Sequence, residues 1–368
     1  MKHPGWVRVV PLLAALVGIC GGPTVEAQTT QKQWQLVKSG AQGYTLKMAE
    51  VPVPKPAAGE VLIRMHAASL NRRDVFVMRG QYPMPPRGSL VPLSDGAGEV
   101  VAVGANAKRF KVGDKVSPIF FPRWVNGRAT AQNTEVSLGG AVDGVLTQYM
   151  AIDEQSVVAI PPGYSYEEAA TLPCAAVTAW NGLVTRGRMQ AGDYVLLEGT
   201  GGVSIFGLQI ALASGAKPII TSSSDEKLAR AKALGAVGGV NYKTTPDWEK
   251  PVRELTNGAG VQQILEVGGK DSLPHALASL SPGGHIALIG GLGGFGGEIP
   301  VMPLLGGNIT VSGIYVGSRE NFEALTAFLA KHPLKPVIDK VIDFKDAPAA
   351  YQHMEKESFL GKIVIANF

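Results

Sequence analysis

The sequence predicts an α/β protein that combines a β-rich, barrel-like domain with a doubly wound parallel sheet. Between Trp34 and about Pro161, short apolar runs alternate with many glycines and prolines, a pattern typical of short strands between turns. From Tyr166 onward, strand-like and helix-like stretches alternate, which is typical of parallel strands joined by crossover helices. A Pro-rich junction at 160–163 separates the two patterns.

The individual elements follow from the same patterns. In the first part, strands are predicted at 61–67, 98–103 and 113–117. In the second part, we predict strands at 194–197, 218–221, 240–242, 263–267 and 285–289, with helices that include 203–214 and 225–234. The strand-like run 361–365 is expected to return to the first domain. The predicted domains are therefore 28–162 with 319–368, and 163–318.

A glycine-rich turn, Gly199-Thr200-Gly201-Gly202-Val203-Ser204, joins the predicted strand 194–197 to the following helix. Such a turn places backbone N–H groups and a positive helix end against a pyrophosphate. Ser204 replaces the third glycine of the usual pattern, a position that mainly permits close helix–strand packing. The candidate dinucleotide contacts are Gly199, Gly201, Gly202, Val203 and Ser204. The alternative is a glycine loop that serves packing alone.

An acidic residue is missing where an NAD-binding chain places one for the ribose 2′-hydroxyl, about 20 residues after the turn. The sequence there reads Thr221-Ser222-Ser223-Ser224. This favours NADP(H), and the candidate ligands of its 2′-phosphate are Ser222, Ser223, Lys227 and Tyr242. The alternatives are a capping box of Ser223 with Glu226 and a solvated helix lysine.

Glycines also end two later predicted strands. Gly268 follows Val267, and Gly290 follows Ile289. Because ligands bind at the carboxyl ends of strands in doubly wound sheets, we expect Gly268, Ile289 and Gly290 to approach the nucleotide. Simple strand-to-loop turns are the alternative.

The first 27 residues differ from the rest of the chain. Lys2 and Arg8 precede the apolar stretch 9–19, and Val25-Glu26-Ala27 resembles a small-residue cleavage site. We therefore predict a signal peptide at 1–27 and a periplasmic or secreted protein, with a cytoplasmic location if the leader is not real. The apolar stretch is too short for a membrane-spanning helix, which needs about 20 residues.

Composition excludes several other classes. The net charge of +4 is spread without runs, so no stripe for nucleic acid is visible. After removal of the leader, Cys174 is the one remaining cysteine, which excludes an intrachain disulfide and a cysteine-based structural metal site. We expect a small-molecule substrate, with neither nucleic acid nor a membrane span.

Several short segments together resemble the medium-chain dehydrogenase/reductase family, and within it the zinc-independent quinone oxidoreductase-like (enoyl reductase) branch. They are 59–64, 95–100, 112–116, 172–180, 199–204, 232–236 and 241–242. The resemblance implies a GroES-like catalytic domain split around a Rossmann domain, an active site between them, and a homodimer. It also implies that Thr178 contacts nicotinamide and that Arg319 and Lys362 contact the cofactor. A helix-start hydroxyl and solvated charges are the alternatives.

The family pattern also bears on metal and proton chemistry. Zinc ligands would fall at Asn71, Ser94 and Cys174, and a catalytic zinc needs three protein ligands. Two of these positions are not usual zinc ligands, so we expect zinc-independent chemistry. Tyr82 falls where enoyl-reductase relatives carry a tyrosine proton donor, and Asn71 is a candidate donor to the substrate carbonyl. A packing tyrosine and a turn-forming asparagine are the alternatives.

Without a Lewis acid, hydride addition favours acceptors that spread the developing negative charge. The sequence therefore predicts an NADPH-dependent reductase of quinones or α,β-unsaturated carbonyls. Two alternatives remain open: a zinc-type alcohol dehydrogenase, and a non-catalytic nucleotide-binding interaction or structural protein.

Overall fold

The computed structural model describes residues 1, 29–40, 43–82, 88–294, 296 and 298–368. Apart from its first residue, the predicted signal peptide 1–27 lies outside these described residues. The strands are β1 (Thr30–Lys38), β2 (Tyr44–Pro52), β3 (Glu60–Ser69), β4 (Asp95–Val103), β5 (Lys115–Pro118), β6 (Tyr149–Asp153), β7 (Val157–Ala159), β8 (Tyr194–Glu198), β9 (Lys217–Ser222), β10 (Gly238–Asn241), β11 (Val261–Glu266), β12 (Leu280–Leu288), β13 (Thr310–Gly313), β14 (Ile338–Asp343) and β15 (Lys362–Ala366).

The α-helices of the described residues are α1 (Arg72–Met78), α2 (Ala131–Thr134), α3 (Tyr166–Ala169), α4 (Val177–Trp180), α5 (Gly202–Ala213), α6 (Asp225–Ala233), α7 (Glu249–Leu255), α8 (Leu273–Ser279), α9 (Val301–Gly307), α10 (Arg319–Lys331) and α11 (Ala347–Glu355). Two π-helical segments, Leu172–Ala176 and Asn181–Arg186, flank α4. Short 3₁₀ turns lie at Glu154–Ser156 and Phe344–Asp346. Within the described ranges, no helix is both long and apolar enough to cross a membrane.

The second half of the chain forms a parallel sheet in the order β10-β9-β8-β11-β12-β13. Its strands follow the Rossmann order 3-2-1-4-5-6 when they are numbered from β8, so the strand order reverses between β8 and β11. Adjacent residues face opposite sides and both are buried, as in Leu196 and Leu197 of β8 or Ile264 and Leu265 of β11. Burial on both faces explains the continuous apolar runs of the sequence.

The β-rich part forms a mixed sheet in the order β14-β15-β3-β4-β5-β7, and β6 also pairs with β3. The last strand, β15, pairs antiparallel with β3, so the C-terminal run 361–365 returns to the first sheet as expected. This pairing places the end of the chain beside the loop that follows β3 and leads into α1. The fold class predicted from the sequence, a GroES-like domain with a Rossmann sheet, is confirmed, while the boundaries at 162 and 319 stay predictions.

The alternative interpretation of the serine run, a capping box of Ser223 with Glu226, is wrong by a single residue. The N-cap of α6 is Ser224, whose hydroxyl accepts a hydrogen bond from the Lys227 backbone N–H at 3.4 Å. Ser223 is exposed and forms no capping box with Glu226. A run of three serines offers alternative caps of equal chemistry, and the end of β9 at Ser222 selects among them.

Candidate active site

The glycine turn after β8 has the geometry of an anion-binding site. Gly199 has a φ of +73°, a conformation that favours glycine. Gly201 is the N-cap of α5, no side chain caps this helix start in the described structure, and a Cβ at Gly201 would meet no atom within 4 Å. The Ser204 hydroxyl donates to the Glu198 carbonyl oxygen at 2.6 Å. The serine therefore closes the turn, while the first amides of α5, which no described side chain caps, are able to bind an anion.

The C-terminal strand packs under this turn. The Gly361 N–H donates to the Thr200 carbonyl oxygen at 3.0 Å. A Cβ at Gly202 would lie 2.6 Å from Lys362 Cδ and 3.1 Å from Ala175 Cβ. Gly202 is therefore required for close packing against the lysine stem. Val203 follows it, partly buried, in the first turn of α5.

The predicted 2′-phosphate ligands lie around the carboxyl end of β9. Ser222 is buried, and its backbone oxygen accepts from the Tyr242 N–H at 3.1 Å. Ser223 is exposed beside it, and the Tyr242 side chain is 39% exposed. The Lys227 ammonium donates to the Glu357 carbonyl oxygen at 2.5 Å. An ammonium has three donors, so this contact leaves Lys227 able to bind a phosphate as well.

The glycines at the later strand ends have a sufficient packing explanation. A Cβ at Gly290 would lie 2.5 Å from the Val267 carbonyl oxygen, and one at Gly268 would overlap the Ser272 hydroxyl. Ile289 and Gly290 both donate to the Glu266 carbonyl oxygen, at 2.9 and 3.3 Å. Close packing of the two loops therefore requires these glycines, and their nucleotide contact stays a prediction.

Two buried glutamates lie at the carboxyl ends of β8 and β11, where the strand order reverses, and sequence reasoning missed them. Glu198 Oε2 accepts from the Val267 and Gly268 N–H groups at 3.3 and 3.4 Å. Glu266 Oε1 accepts from the Gly269 N–H at 2.7 Å. Burial and the Glu266 charge raise the pKa of Glu198 well above its ordinary value, so Glu198 stays protonated. Its protonation removes one of two negative charges next to the anion-binding turn.

A buried polar cluster joins residues that the sequence keeps far apart. The Lys362 ammonium donates to Asn71 Oδ1 and to the Leu70 carbonyl oxygen, each at 2.6 Å. It also lies 3.8 Å from Asp95 Oδ2. Because lysine only donates, Asn71 must turn its oxygen toward Lys362. The Asn71 Nδ2 group is buried and has no partner among the described residues, so it is a free donor.

The donor set at the three zinc-ligand positions of the family differs from a catalytic zinc site. Asn71 offers a carboxamide, and the Ser94 hydroxyl donates to Asp95 Oδ1 at 2.6 Å. Burial raises the pKa of the Cys174 thiol, whereas zinc binds the thiolate. In the described part of the chain, no three His, Cys, Asp or Glu side chains are grouped to hold a metal ion.

An aromatic wall contains the predicted proton donor. The hydroxyls of Tyr82 and Tyr315 are 2.8 Å apart, and the Tyr315 ring centroid lies 4.7 Å from that of Phe121. Burial is the main cause of a raised pKa of Tyr82, so its phenol stays protonated and is able to donate. Arg73, which the sequence did not single out, lies over the Tyr82 ring with Cζ 5.6 Å from the centroid. The wall therefore joins the loop after α1 to the segment after β13.

The two remaining predicted cofactor contacts, Thr178 and Arg319, lie in different parts of the structure. Thr178 is buried in α4, between the two π-helical segments. Arg319 Nη1 donates to Gln155 Oε1 at 2.6 Å, and its Nε lies 3.3 Å from a Glu323 oxygen. These contacts tie α10 to the 3₁₀ turn at Glu154–Ser156. The structure does not show Arg319 at the glycine turn, so its cofactor contact stays a prediction.

A Rossmann sheet with an anion-binding turn, joined to a GroES-like sheet, defines the class of dinucleotide-binding oxidoreductases. Residues 57–162 match the alcohol dehydrogenase GroES-like domain, and residues 202–331 match the zinc-binding dehydrogenase family. The chain is 42% identical over 327 residues to a zinc-type alcohol dehydrogenase-like protein of Schizosaccharomyces pombe, a match that covers 87% of this chain and 94% of the relative. The chain belongs to the medium-chain dehydrogenase/reductase family.

Solved structures agree with this assignment. A Sinorhizobium meliloti 1021 protein described as an alcohol dehydrogenase is similar with a TM-score of 0.87 and 41% identity, over 92% of this chain and 99% of its own. An NAD-dependent alcohol dehydrogenase is similar with a TM-score of 0.80 and 31% identity, over 92% of this chain and 100% of its own. The family is therefore confirmed, while the zinc-independent quinone oxidoreductase-like branch stays a prediction.

Proposed function

We propose that this protein is an NADPH-dependent reductase that acts on quinones or α,β-unsaturated carbonyls without zinc. The observation that carries the proposal is the contact of Lys362 with Asn71 at 2.6 Å. At the position of the first zinc ligand in zinc-dependent family members, this contact holds a neutral amide as a buried hydrogen-bond donor. A donor of this kind suits an acceptor that spreads its own negative charge.

The residues of the site have distinct roles in this proposal. Bound NADPH would supply the hydride, held by the glycine turn and the start of α5. Asn71 Nδ2 donates to the acceptor carbonyl oxygen and orients it. Tyr82, protonated at neutral pH, supplies the proton that completes the reduction, and Tyr315 fixes the position of its hydroxyl.

The preference for NADPH rests on the end of β9. Residues 221–224, at the end of β9, contain no carboxylate at the place where an NAD-binding chain puts one for the ribose 2′-hydroxyl, and Ser223 and Lys227 offer donors nearby. One similar solved protein is described as NAD-dependent, so NADH is the necessary comparison.

The decisive experiment measures oxidation of NADPH and NADH against a panel of quinones, enones and simple ketones. The protein is first dialysed against a chelator, and its metal content is then determined. We expect turnover with quinones or enones, a preference for NADPH, and no loss of rate after chelation. Turnover that needs stoichiometric zinc would favour the alcohol dehydrogenase alternative, and tight nucleotide binding without turnover would favour the non-catalytic one.

Two further properties of the chain are proposed with this function. We propose that residues 1–27 direct export and are removed, which mass analysis of the mature N-terminus tests. We propose that the protein is a homodimer, which light scattering of the purified protein tests. Retention of the N-terminus, or the mass of one chain, would contradict the respective proposal.

A further inference from the structure

Arg73 is a buried cation with unused hydrogen-bonding capacity. It is the second residue of α1, and its side chain is only 10% exposed. Its Nη2 donates to the Leu138 carbonyl oxygen, and its Nε lies 3.6 Å from Asp74 Oδ1. Both Nε and Nη1 are buried without a hydrogen-bond partner among the described residues. Buried guanidinium groups normally have their N–H groups paired, so these free donors require an explanation.

The position of Arg73 explains why two of its N–H groups have no partner in the described structure. Its Cζ lies 4.5 Å from the centroid of the Phe120 ring and 5.6 Å from that of Tyr82. Its positive charge lowers the pKa of both Tyr82 and Cys174, against the larger opposing effect of burial. The guanidinium therefore lies against the aromatic wall, and it acts on Cys174, whose pKa the Lys362 ammonium lowers as well. This is the region in which the proposed function places the acceptor.

Lys362, the other cation of this region, already has hydrogen-bond partners. Lys362 donates to two oxygens and lies beside Asp95. Arg73 has Asp74 as its charge partner at 3.6 Å, without a hydrogen bond between them. Burial raises the pKa of Asp74 to about 6, so its ionised form is poorly stabilised even beside this cation. Arg73 is thus the cation with donors to spare.

We propose that Arg73 is a catalytic residue whose Nη1 donates to the acceptor oxygen on which negative charge develops. The proposal rests on the proposed function and deepens it. Hydride addition forms a C–H bond at the β-carbon, and the π electrons of the enone move to its oxygen while the nicotinamide is oxidised. Arg73 stabilises that oxygen as its charge grows, and a proton then adds at the α-carbon. A carbonyl oxygen has two lone pairs, so it accepts from a neutral amide and a guanidinium together.

The test compares Arg73→Ala and Arg73→Lys with Arg79→Gln. Arg79 lies at the end of the same helix in an exposed ion pair with Glu355, so Arg79→Gln controls for the loss of a cation from α1. We expect kcat to fall by about 100-fold in Arg73→Ala, the usual cost of one oxyanion donor, while the Kd of NADPH stays unchanged. Added guanidinium ion should restore part of the lost rate in Arg73→Ala and leave the control unaffected.

A structural role gives a different pattern. If Arg73 only anchors α1 to the loop at Leu138, Arg73→Ala lowers the melting temperature, the folded fraction keeps its kcat within about threefold, and guanidinium has no effect on the rate. That result overturns the proposal. If the unaltered protein binds NADPH but reduces no acceptor, the proposed function itself fails, and this failure is visible before any variant is made.

A second measurement covers the case in which Arg73→Ala does not fold. An enone with a fully substituted β-carbon, labelled with ¹³C at the carbonyl, is bound to the unaltered protein in the presence of oxidised cofactor. We expect the carbonyl stretching frequency to fall relative to water, to stay low in Tyr82→Phe, and to rise in Arg73→Lys. A frequency that equals the value in water, or that depends on Tyr82 alone, overturns the proposal.

Discussion

Replacing Lys362 with methionine tests how the polar cluster holds Asn71. Methionine keeps most of the aliphatic stem that packs under Gly202, where a Cβ on the glycine would lie only 2.6 Å from the lysine Cδ. It removes two hydrogen bonds of 2.6 Å and the counter-ion 3.8 Å from Asp95. Removing one partner of a buried ion pair costs about 3–5 kcal/mol. Asp95 keeps its bonds from Ser94 and from the Cys174 N–H, so we expect the lower end of that range.

The catalytic effect follows from the freed amide. Without the lysine, nothing in the described structure obliges the Asn71 oxygen to face away from the acceptor, so the donor is present only part of the time. Loss of such a donor costs about 100- to 1,000-fold in kcat, and we expect at least about tenfold here. Urea denaturation gives the free energy of unfolding, and NADPH oxidation gives kcat. Lys232→Met, on the exposed face of α6, is the matched control. An unfolding free energy and a kcat both equal to those of the control would refute the reasoning.

Three further predictions concern charge. Burial raises the pKa of Asp74 to about 6. The raised pKa adds to the free energy of unfolding below the ordinary pKa of an aspartic acid, and this contribution is lost as the pH rises through about 6. Asp74→Asn should remove this loss, which amounts to about 3 kcal/mol in the free energy of unfolding between pH 4 and 7, measured by urea denaturation. A variant whose free energy of unfolding depends on pH as steeply as that of the unaltered protein would contradict this assignment. Because Glu198 stays protonated, Glu198→Gln should keep or raise the melting temperature at pH 7, whereas Glu198→Ala should lower it; a large loss in Glu198→Gln would show that the carboxylate is ionised. Lys227→Ala should raise the Kd of NADPH by about 10- to 100-fold and leave that of NADH nearly unchanged, since a charge-assisted hydrogen bond is lost only with the phosphorylated nucleotide; equal losses in fluorescence titration would exclude Lys227 as a phosphate ligand.

The parts of the fold that the sequence predicted are those that local patterns encode. The turn at 199–204 is recognisable because a strand, glycines and a helix follow one another directly. The regular alternation of strand-like and helix-like stretches predicted the parallel strands for the same reason. Ser224 rather than Ser223 is the N-cap of α6 because β9 ends at Ser222. A run of three serines does not show in the sequence where the strand ends.

The candidate site was predicted less completely, since its contacts join distant residues. Asn71 and Lys362 were both candidates, but 291 positions separate them and no local pattern indicates that they meet. The pairing of Glu198 with Glu266 depends on the reversal of strand order between β8 and β11. Arg73 was overlooked because a cation next to Arg72 and Asp74 in the first turn of a helix normally lies in solvent. Its position two residues after Asn71, a family ligand position, was the one signal available.

The hydrogen bonds at the start of β15 have a consequence for how the two sheets are connected. The Gly361 N–H donates to the Thr200 carbonyl oxygen of the glycine turn, and the ammonium of the next residue, Lys362, donates to Asn71. Two adjacent residues therefore connect the glycine turn after β8 to the candidate hydrogen-bond donor after β3. A displacement of that turn by a bound nucleotide would shift the Asn71 amide as well, so the affinity for an acceptor would depend on whether the nucleotide is present.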